Sequence, residues 1–228
     1  MKLDRLNRPE SLTDMAYREL RAAIVDGRLK LGDQVSELRL SQMLGISKTP
    51  VREALLALKR EGLVVIDPQR ATSIFHIDET EIESIRAFRE LLEEQAARNA
   101  FAGDTVAFAR SIGTVMEKMS AALESGDRTE YRLLDAEFHD VILSYGNNPY
   151  LTAAYNLIAT KIGALRTRAQ DFDNVVNNSL KTHARLHSLI ESGDVEQFCK
   201  LLRLHIDNTG NDYLKWMTSQ KEEAAEIT

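Results

Sequence analysis

The chain has 228 residues, enough for one large domain or two small ones, and its apolar fraction of 43% is that of a globular protein. No run approaches the roughly 20 apolar residues of a membrane span, and the opening "MKLDRLNRPE" lacks the apolar core of a signal peptide, so the expectation is a cytoplasmic protein with no membrane partner. A single cysteine, Cys199, excludes an intrachain disulfide framework, and the net charge of −6 is unevenly spread: residues 1–78 hold 13 Lys+Arg against 11 Asp+Glu, the remainder 16 against 24.

Residues 11–27 read as a helix. Ser11 or Thr13 can cap it, Tyr17, Leu20 and Ile24 form its stripe, and Gly27 ends it. A short loop, "RLKLGDQV", leads to a second helix over 36–45, with Ser36 as N-cap, Leu40 and Leu44 inward and Gly45 as stop. A third helix over 47–62 follows at once. Thr49 before Pro50 reads as cap and first helical residue, and Leu55 and Leu58 read as buried. Two short helices joined by a tight glycine turn form a helix-turn-helix. The exposed start of the third helix carries Ser47, Lys48, Thr49 and Arg52; in such motifs that end enters the major groove, where Arg reads guanine and Ser, Thr and Lys hold phosphates.

The period then changes. "LVVI" (63–66) and "SIFHI" (73–77) flank a turn around Pro68, which makes a small β-hairpin wing. Residues 1–77 therefore read as a winged helix-turn-helix, with double-stranded DNA as its partner.

Residues 78–228 show no strand pattern. Helices are expected over about 78–103, 104–125, 127–145, 148–170, 172–192 and 194–218, with breaks at "SGD" (125–127), "GNNP" (146–149) and "SGD" (192–194). The fold class is thus mostly α, a winged helix followed by an antiparallel helical bundle. Across "LDAEFHDVIL" (134–143) and the turn before it, one face carries Tyr131, Asp135, Phe138, His139 and Ile142. Burying an unpaired carboxylate costs several kcal/mol, so Asp135 needs a partner. His183 and His187 share a stripe with Leu186 and Ile190, and His205 lies with Phe198, Leu201 and Leu202. Asp135 with three imidazoles is a mixed oxygen and nitrogen donor set suited to zinc, nickel, manganese or iron.

The first 77 residues resemble the GntR family of bacterial transcription regulators. Tyr17, Leu20, Arg21, Ile24 and Gly27 fit its first pattern, and "LGISKTPVREALLALKREGLV" (44–64) is similar to its core run nearly end to end. Leu31, Lys48 and Ala71 depart from it; the family usually has Gly at the wing tip, where Ala71 stands. The bundle resembles the FCD ligand-binding domain of the FadR branch. That resemblance implies metal ligands at Asp135, His139, His183 and His205, zinc first among the candidate ions, and Arg89 at the usual Arg of the first bundle helix. His187 matches no family ligand and is an effector-pocket candidate beside Arg89. The implied function is a homodimeric regulator that binds operator DNA through Arg21, Ser47, Lys48, Thr49 and Arg52 and responds to a small organic acid, releasing the operator when the acid binds. Two alternatives stand beside it. A metal-dependent enzyme is one, although no positioned general base is visible; an effector-binding module with weakened DNA recognition is the other, because of Ala71.

Overall fold

The structure is a computed structural model and describes residues 10–67, 71–169 and 173–226. The chain divides into two compact units, Met1–Ile77 and Asp78–Thr228.

The first unit holds α1 (Leu12–Val25), β1 (Gln34–Val35), α2 (Glu37–Leu44), α3 (Lys48–Arg60), β2 (Val64–Ile66) and β3 (Thr72–Ile74). Ser11 caps α1 by accepting from the Asp14 N–H, and Ser36 caps α2 by accepting from Arg39 N–H at 3.2 Å. Gly45 ends α2 in the left-handed region at φ 67°, a conformation that a Cβ resists and that turns the chain sharply into α3. Helix α3 starts two residues earlier than the Thr49–Pro50 pair suggests. Ser47 is its N-cap, and Pro50 sits inside the first turn, where no intrahelical partner for an N–H is lost. Leu20, Ile24, Val51, Leu55, Leu58 and Leu63 form the core of this unit, while Leu44 is only half-buried.

The wing is a three-stranded antiparallel sheet in the order β1-β3-β2. Gln34 and Val35 pair with Ser73 and Thr72, so the expected loop contains a strand; two residues are too few to show any periodicity. Strand β3 is also shorter than the "SIFHI" run. The turn placed around Pro68 lies outside the described residues. The Ala71 carbonyl accepts from the Asp67 N–H at 3.3 Å.

The second unit holds α4 (Glu79–Phe101), α5 (Thr105–Glu124), α6 (Arg128–Tyr145), α7 (Pro149–Ala169), α8 (Asp173–Ser192) and α9 (Val195–Glu226). Asp78, Asp104 and Asp127 cap α4, α5 and α6 by accepting N–H bonds from residues three positions on. Helix α9 runs beyond the expected end at 218. Helix α4 packs against α6, α7 and α9, α5 against α6 and α8, and α8 against α9. The links 125–127 and 193–194 are short enough to make their flanking helices antiparallel neighbours. At its C-terminal end α6 comes very close to α4: a Cβ built on Gly146 would lie 2.8 Å from Cα of Ala96, and Asn99 Nδ2 donates to the Gly146 carbonyl at 3.1 Å. Only glycine fits such an approach.

Candidate metal centre

Four helices deliver the site. Asp135 and His139 stand one turn apart on α6, His183 comes from α8, His205 from α9, and Arg89 and Glu93 from α4; all six are buried. Each lies on its helix's apolar stripe, which is why the sequence folds them inward.

The imidazoles of His139, His183 and His205 converge, with one ring nitrogen of each within 4.8 Å of the others. His183 Nε2 and His205 Nε2 face each other at 3.2 Å. The His183 ring stacks on Phe138 at 3.9 Å between centroids and 16° between planes, and His139 stacks on His205 at 5.4 Å and 18°. Burial pushes His183 and His205 down to about 3, against the opposing pull of Asp135 on the former and the added repulsion of His183 on the latter. Burial likewise holds His139 well below its ordinary value, with Arg89 adding to the effect. Three neutral imidazoles therefore offer lone pairs toward one point.

Glu93 orients this set. Its Oε2 accepts from His139 Nδ1 at 2.6 Å, and its Oε1 accepts from Arg89 Nε at 2.8 Å. A proton fixed on Nδ1 makes His139 Nε2 the acceptor nitrogen, the tautomer that a metal-ligating histidine needs. Arg89 Nη2 lies 3.4 Å from His139 Nε2. Burial works against the Arg89 charge, but the Glu93 carboxylate more than offsets it and raises its pKa.

Asp135 differs from the expectation. Its Oδ2 lies 2.6 Å from Arg166 Nε, and its Oδ1 accepts weakly from Ser179 Oγ at 3.5 Å and stands 3.8 Å from His183 Nε2. Burial, the largest single influence, would raise its pKa; the Arg166 guanidinium together with the three surrounding imidazoles outweighs burial and holds the carboxyl well below the usual carboxylate range. The partner that makes Asp135 tolerable inside the bundle is thus an arginine on α7. The three imidazoles form a tight cluster, and Asp135 stands at its edge.

These residues fit a divalent cation on the chemistry of the donors. The set is buried, neutral at the rings and oriented by a carboxylate, and His183 Nδ1 is an orphaned buried atom among the described residues. A cavity of about 350 Å³ is lined by Tyr131 and Val176, which lie one turn along α6 and α8 from Asp135 and Ser179; Arg128 and Arg132 stand in its wall.

His187 is not brought to this cluster. Its Nε2 donates to the Ala109 carbonyl on α5 at 3.0 Å, and it lines an open cavity with Arg110, Gly113 and Glu117. Four residues advance a helix by about 400°, so His187 points some 40° away from His183 and meets α5 instead. Sequence reasoning passed over Glu93 and Arg166. Glu93 had a signal, since it stands four residues after Arg89 on the stripe of Ile85, Leu92 and Ala96; Arg166 had none, because the apolar face of α7 is broad and weakly marked.

In the first unit, Ser47, Lys48, Thr49 and Arg52 are all exposed at the start of α3. Arg52 donates from Nε and Nη2 to the two carboxylate oxygens of Glu37 on α2, at 2.8 and 2.7 Å. This fork holds the guanidinium beside the helix start. Arg21 on α1 lies 3.8 Å from Glu61.

Comparison with known proteins agrees with both units. The pattern described as "Bacterial regulatory proteins, gntR family" matches residues 12–74, and the FCD domain matches residues 84–208. The chain is 28% identical to a probable D-xylose utilization operon transcriptional repressor of Paenarthrobacter nicotinovorans, over 80% of each chain. It is 23% identical to the gluconate operon transcriptional repressor of Bacillus licheniformis, over 89% of this chain and 85% of that one. Among solved structures, Escherichia coli McbR/YncC shares the fold with a TM-score of 0.75 at 23% identity, over 91% of this chain and all of that one. These families are transcription regulators and not enzymes, which removes the metalloenzyme alternative. No helix among the described residues is long and apolar enough to cross a membrane. A winged helix with the gntR pattern, followed by a bundle that the FCD family matches over more than half the chain, makes this protein a member of the GntR family of transcription regulators, of the type that carries an FCD domain.

Proposed function

We propose that the protein is a homodimeric, metabolite-responsive repressor, cytoplasmic, that binds double-stranded operator DNA and is released from it by a small organic acid held at a metal centre in the bundle. The observation that carries this reading is the convergence of three buried, neutral imidazoles from three helices within 4.8 Å. His139, His183 and His205 hold the cation, with Asp135 as the carboxylate donor; zinc suits the set best, and nickel, manganese or iron are also compatible with it. A bound cation supplies Lewis-acid positions for an oxygen of the acid. Arg89, anchored by Glu93, presents Nη2 beside His139 and adds a charge-assisted bond to the same acid. His187 is no part of this pocket.

On the DNA side, Arg52 reads a base edge, and Ser47, Lys48, Thr49 and Arg21 hold phosphates. The homodimer follows from operator symmetry, since palindromic half-sites mirror a twofold axis. The repressor sense is carried over from the relatives named for the D-xylose and gluconate operons. The test is elemental analysis of the wild type, His183→Ala and His205→Ala after mild dialysis, followed by operator mobility shifts with a panel of organic acids, with and without chelator. Substantial metal in the wild type and little in either variant is expected. Near-full occupancy in both variants makes these histidines ordinary core residues and ends the reading.

A further inference from the structure

Among the described residues, the buried side-chain nitrogen and oxygen atoms without a hydrogen-bond partner are Arg166 Nε and Nη2, His183 Nδ1 and the Tyr213 hydroxyl. All belong to one neighbourhood, since Tyr213 lies within electrostatic reach of Arg166, Arg89 and Asp135. Native interiors leave few such atoms, and a concentration of them marks a place where something else binds. Apart from His183 Nδ1, these atoms are donors, and donors without acceptors call for an anion.

Arg166 is the odd member. It stands 2.6 Å from Asp135, yet neither Nε nor Nη2 makes a well-directed hydrogen bond. The contact is ionic and badly aligned, unlike the fork of Arg89 and Glu93. Charge is balanced as the cluster stands: Arg89 and Arg166 against Glu93 and Asp135, with neutral rings between them. A divalent cation adds two positive charges to a buried place, where unbalanced charge is costly. Asp135 turns Oδ1 toward His183 Nε2 at 3.8 Å and Oδ2 toward Arg166, so a cation that draws the carboxylate in among the imidazoles would loosen a contact with Arg166 that is already badly aligned.

We propose that Arg166 exchanges partners: it holds Asp135 when that carboxylate has no cation to bind, and it passes to a second acid group of the effector when Asp135 turns to the cation, so that the effector is a dicarboxylate. This rests on the metal-centre reading above. One carboxylate is placed near Arg89 and the imidazoles. The other is held by Arg166 Nε and Nη2 with the Tyr213 hydroxyl. A phosphate would bring both charges to one end and leave one arginine unserved. Cation and diacid then favour each other, because each supplies the charge that the other's binding unbalances.

The full-length protein tests this in two arms. In the first, zinc affinity is read by competition with a chelating dye. Arg166→Met is expected to bind zinc about tenfold more tightly than the wild type, a coupling of ordinary size, because Asp135 loses its competitor. Asp135→Asn is expected to bind it more weakly. If Arg166 merely aims Asp135 at the cation, Arg166→Met binds zinc more weakly, and that result overturns the exchange. Arg166→Gln, which removes the charge but keeps a polar side chain, takes the place of the methionine variant should that one not fold, with the same sign expected. In the second arm, zinc-loaded protein is titrated calorimetrically with malonate, succinate and glutarate, and with acetate, propionate and inorganic phosphate. At least one diacid is expected to bind, to lose its binding on chelation, and to bind more weakly to the Arg166 variant. Binding by the monoacids or phosphate alone, no binding by any diacid, or diacid binding indifferent to Arg166 each overturns the proposed anion role. A wild type that takes up no zinc, nickel or manganese defeats the metal centre itself; a wild type that takes up zinc while the first arm gives the opposite sign defeats only the exchange.

Discussion

Arg52 in the winged helix and Arg89 and Arg166 in the bundle all face a carboxylate, but under opposite conditions. The Arg52 side chain is 63% exposed beside Glu37, whereas Arg89 and Arg166 are 2% and 4% exposed beside Glu93 and Asp135. Water screens the first pair, so it is cheap to part, and Arg52 can leave Glu37 for a base or a phosphate. The buried pairs have already met the desolvation cost, which apolar side chains of the same volume would have avoided. Every buried ionisable side chain among the described residues belongs to the second unit. On the proposed reading, the first unit would offer exposed donors that a new partner captures, and the second would hold charges in the dark for a ligand that must come to them.

The sharpest way to break this contrast is at Glu93. Glu93→Ala leaves Arg89 buried and unpaired and removes the acceptor of His139 Nδ1, so a loss of about 3–5 kcal/mol is expected. Urea unfolding measures it; a loss within error of zero would mean that the buried pair behaves like a surface one. Next in size is the metal. If the site holds a divalent cation at a hundred times its dissociation constant, chelation removes about 2.7 kcal/mol. The expected outcome is a lower melting temperature that zinc, nickel or manganese restores, and a chelator-insensitive melt would remove the cation from the account. Arg52→Ala comes third, with specific operator affinity falling on the order of tenfold to a hundredfold while the melting temperature stays put. An unchanged mobility-shift titration at fixed salt would take Arg52 out of the interface. The smallest effect is expected from Glu196→Ala, because Glu196 is exposed and Arg98 keeps its bonds to Glu94; parallel melts should not distinguish it from the wild type.

Sequence legibility divides along the same line. Helix ends could be read because their signals are local: Ser36 and Gly45 around α2, and Asp78, Asp104 and Asp127 ahead of α4, α5 and α6. His139, His183 and His205 could be placed on inward faces because each helix repeats every 3.6 residues. What could not be read is which buried groups meet. Asp135 faces Arg166, thirty-one residues on and on another helix, a neighbour that no spacing in the sequence indicates. Pairings between helices depend on rotation and tilt, which no single stripe records. For the same reason His187, one turn from His183 and expected at the effector pocket, instead faces α5. Strand β1 escaped notice because it is defined by its partner, β3, and not by its own two residues.

The contact at Gly146 has a mechanical consequence. There α6 and α4 touch backbone to backbone, and Asn99 ties them together. If α6 tilted, that point would be its pivot, with the helix as the lever. His139 lies seven residues from it, about 10 Å along the axis, and the first turn of α6 at Arg128 about 27 Å away. A tilt of about 5° would then move His139 by about 1 Å and the far end of the helix by more than 2 Å, with the displacement growing in proportion to the distance along the 1.5 Å-per-residue axis. A small adjustment of bond lengths around the imidazoles would therefore be enlarged where α6 begins, at the link to α5. Gly146→Ala would push the fulcrum apart, and its effect should be felt less in how many ligands the site has than in how far their movement carries.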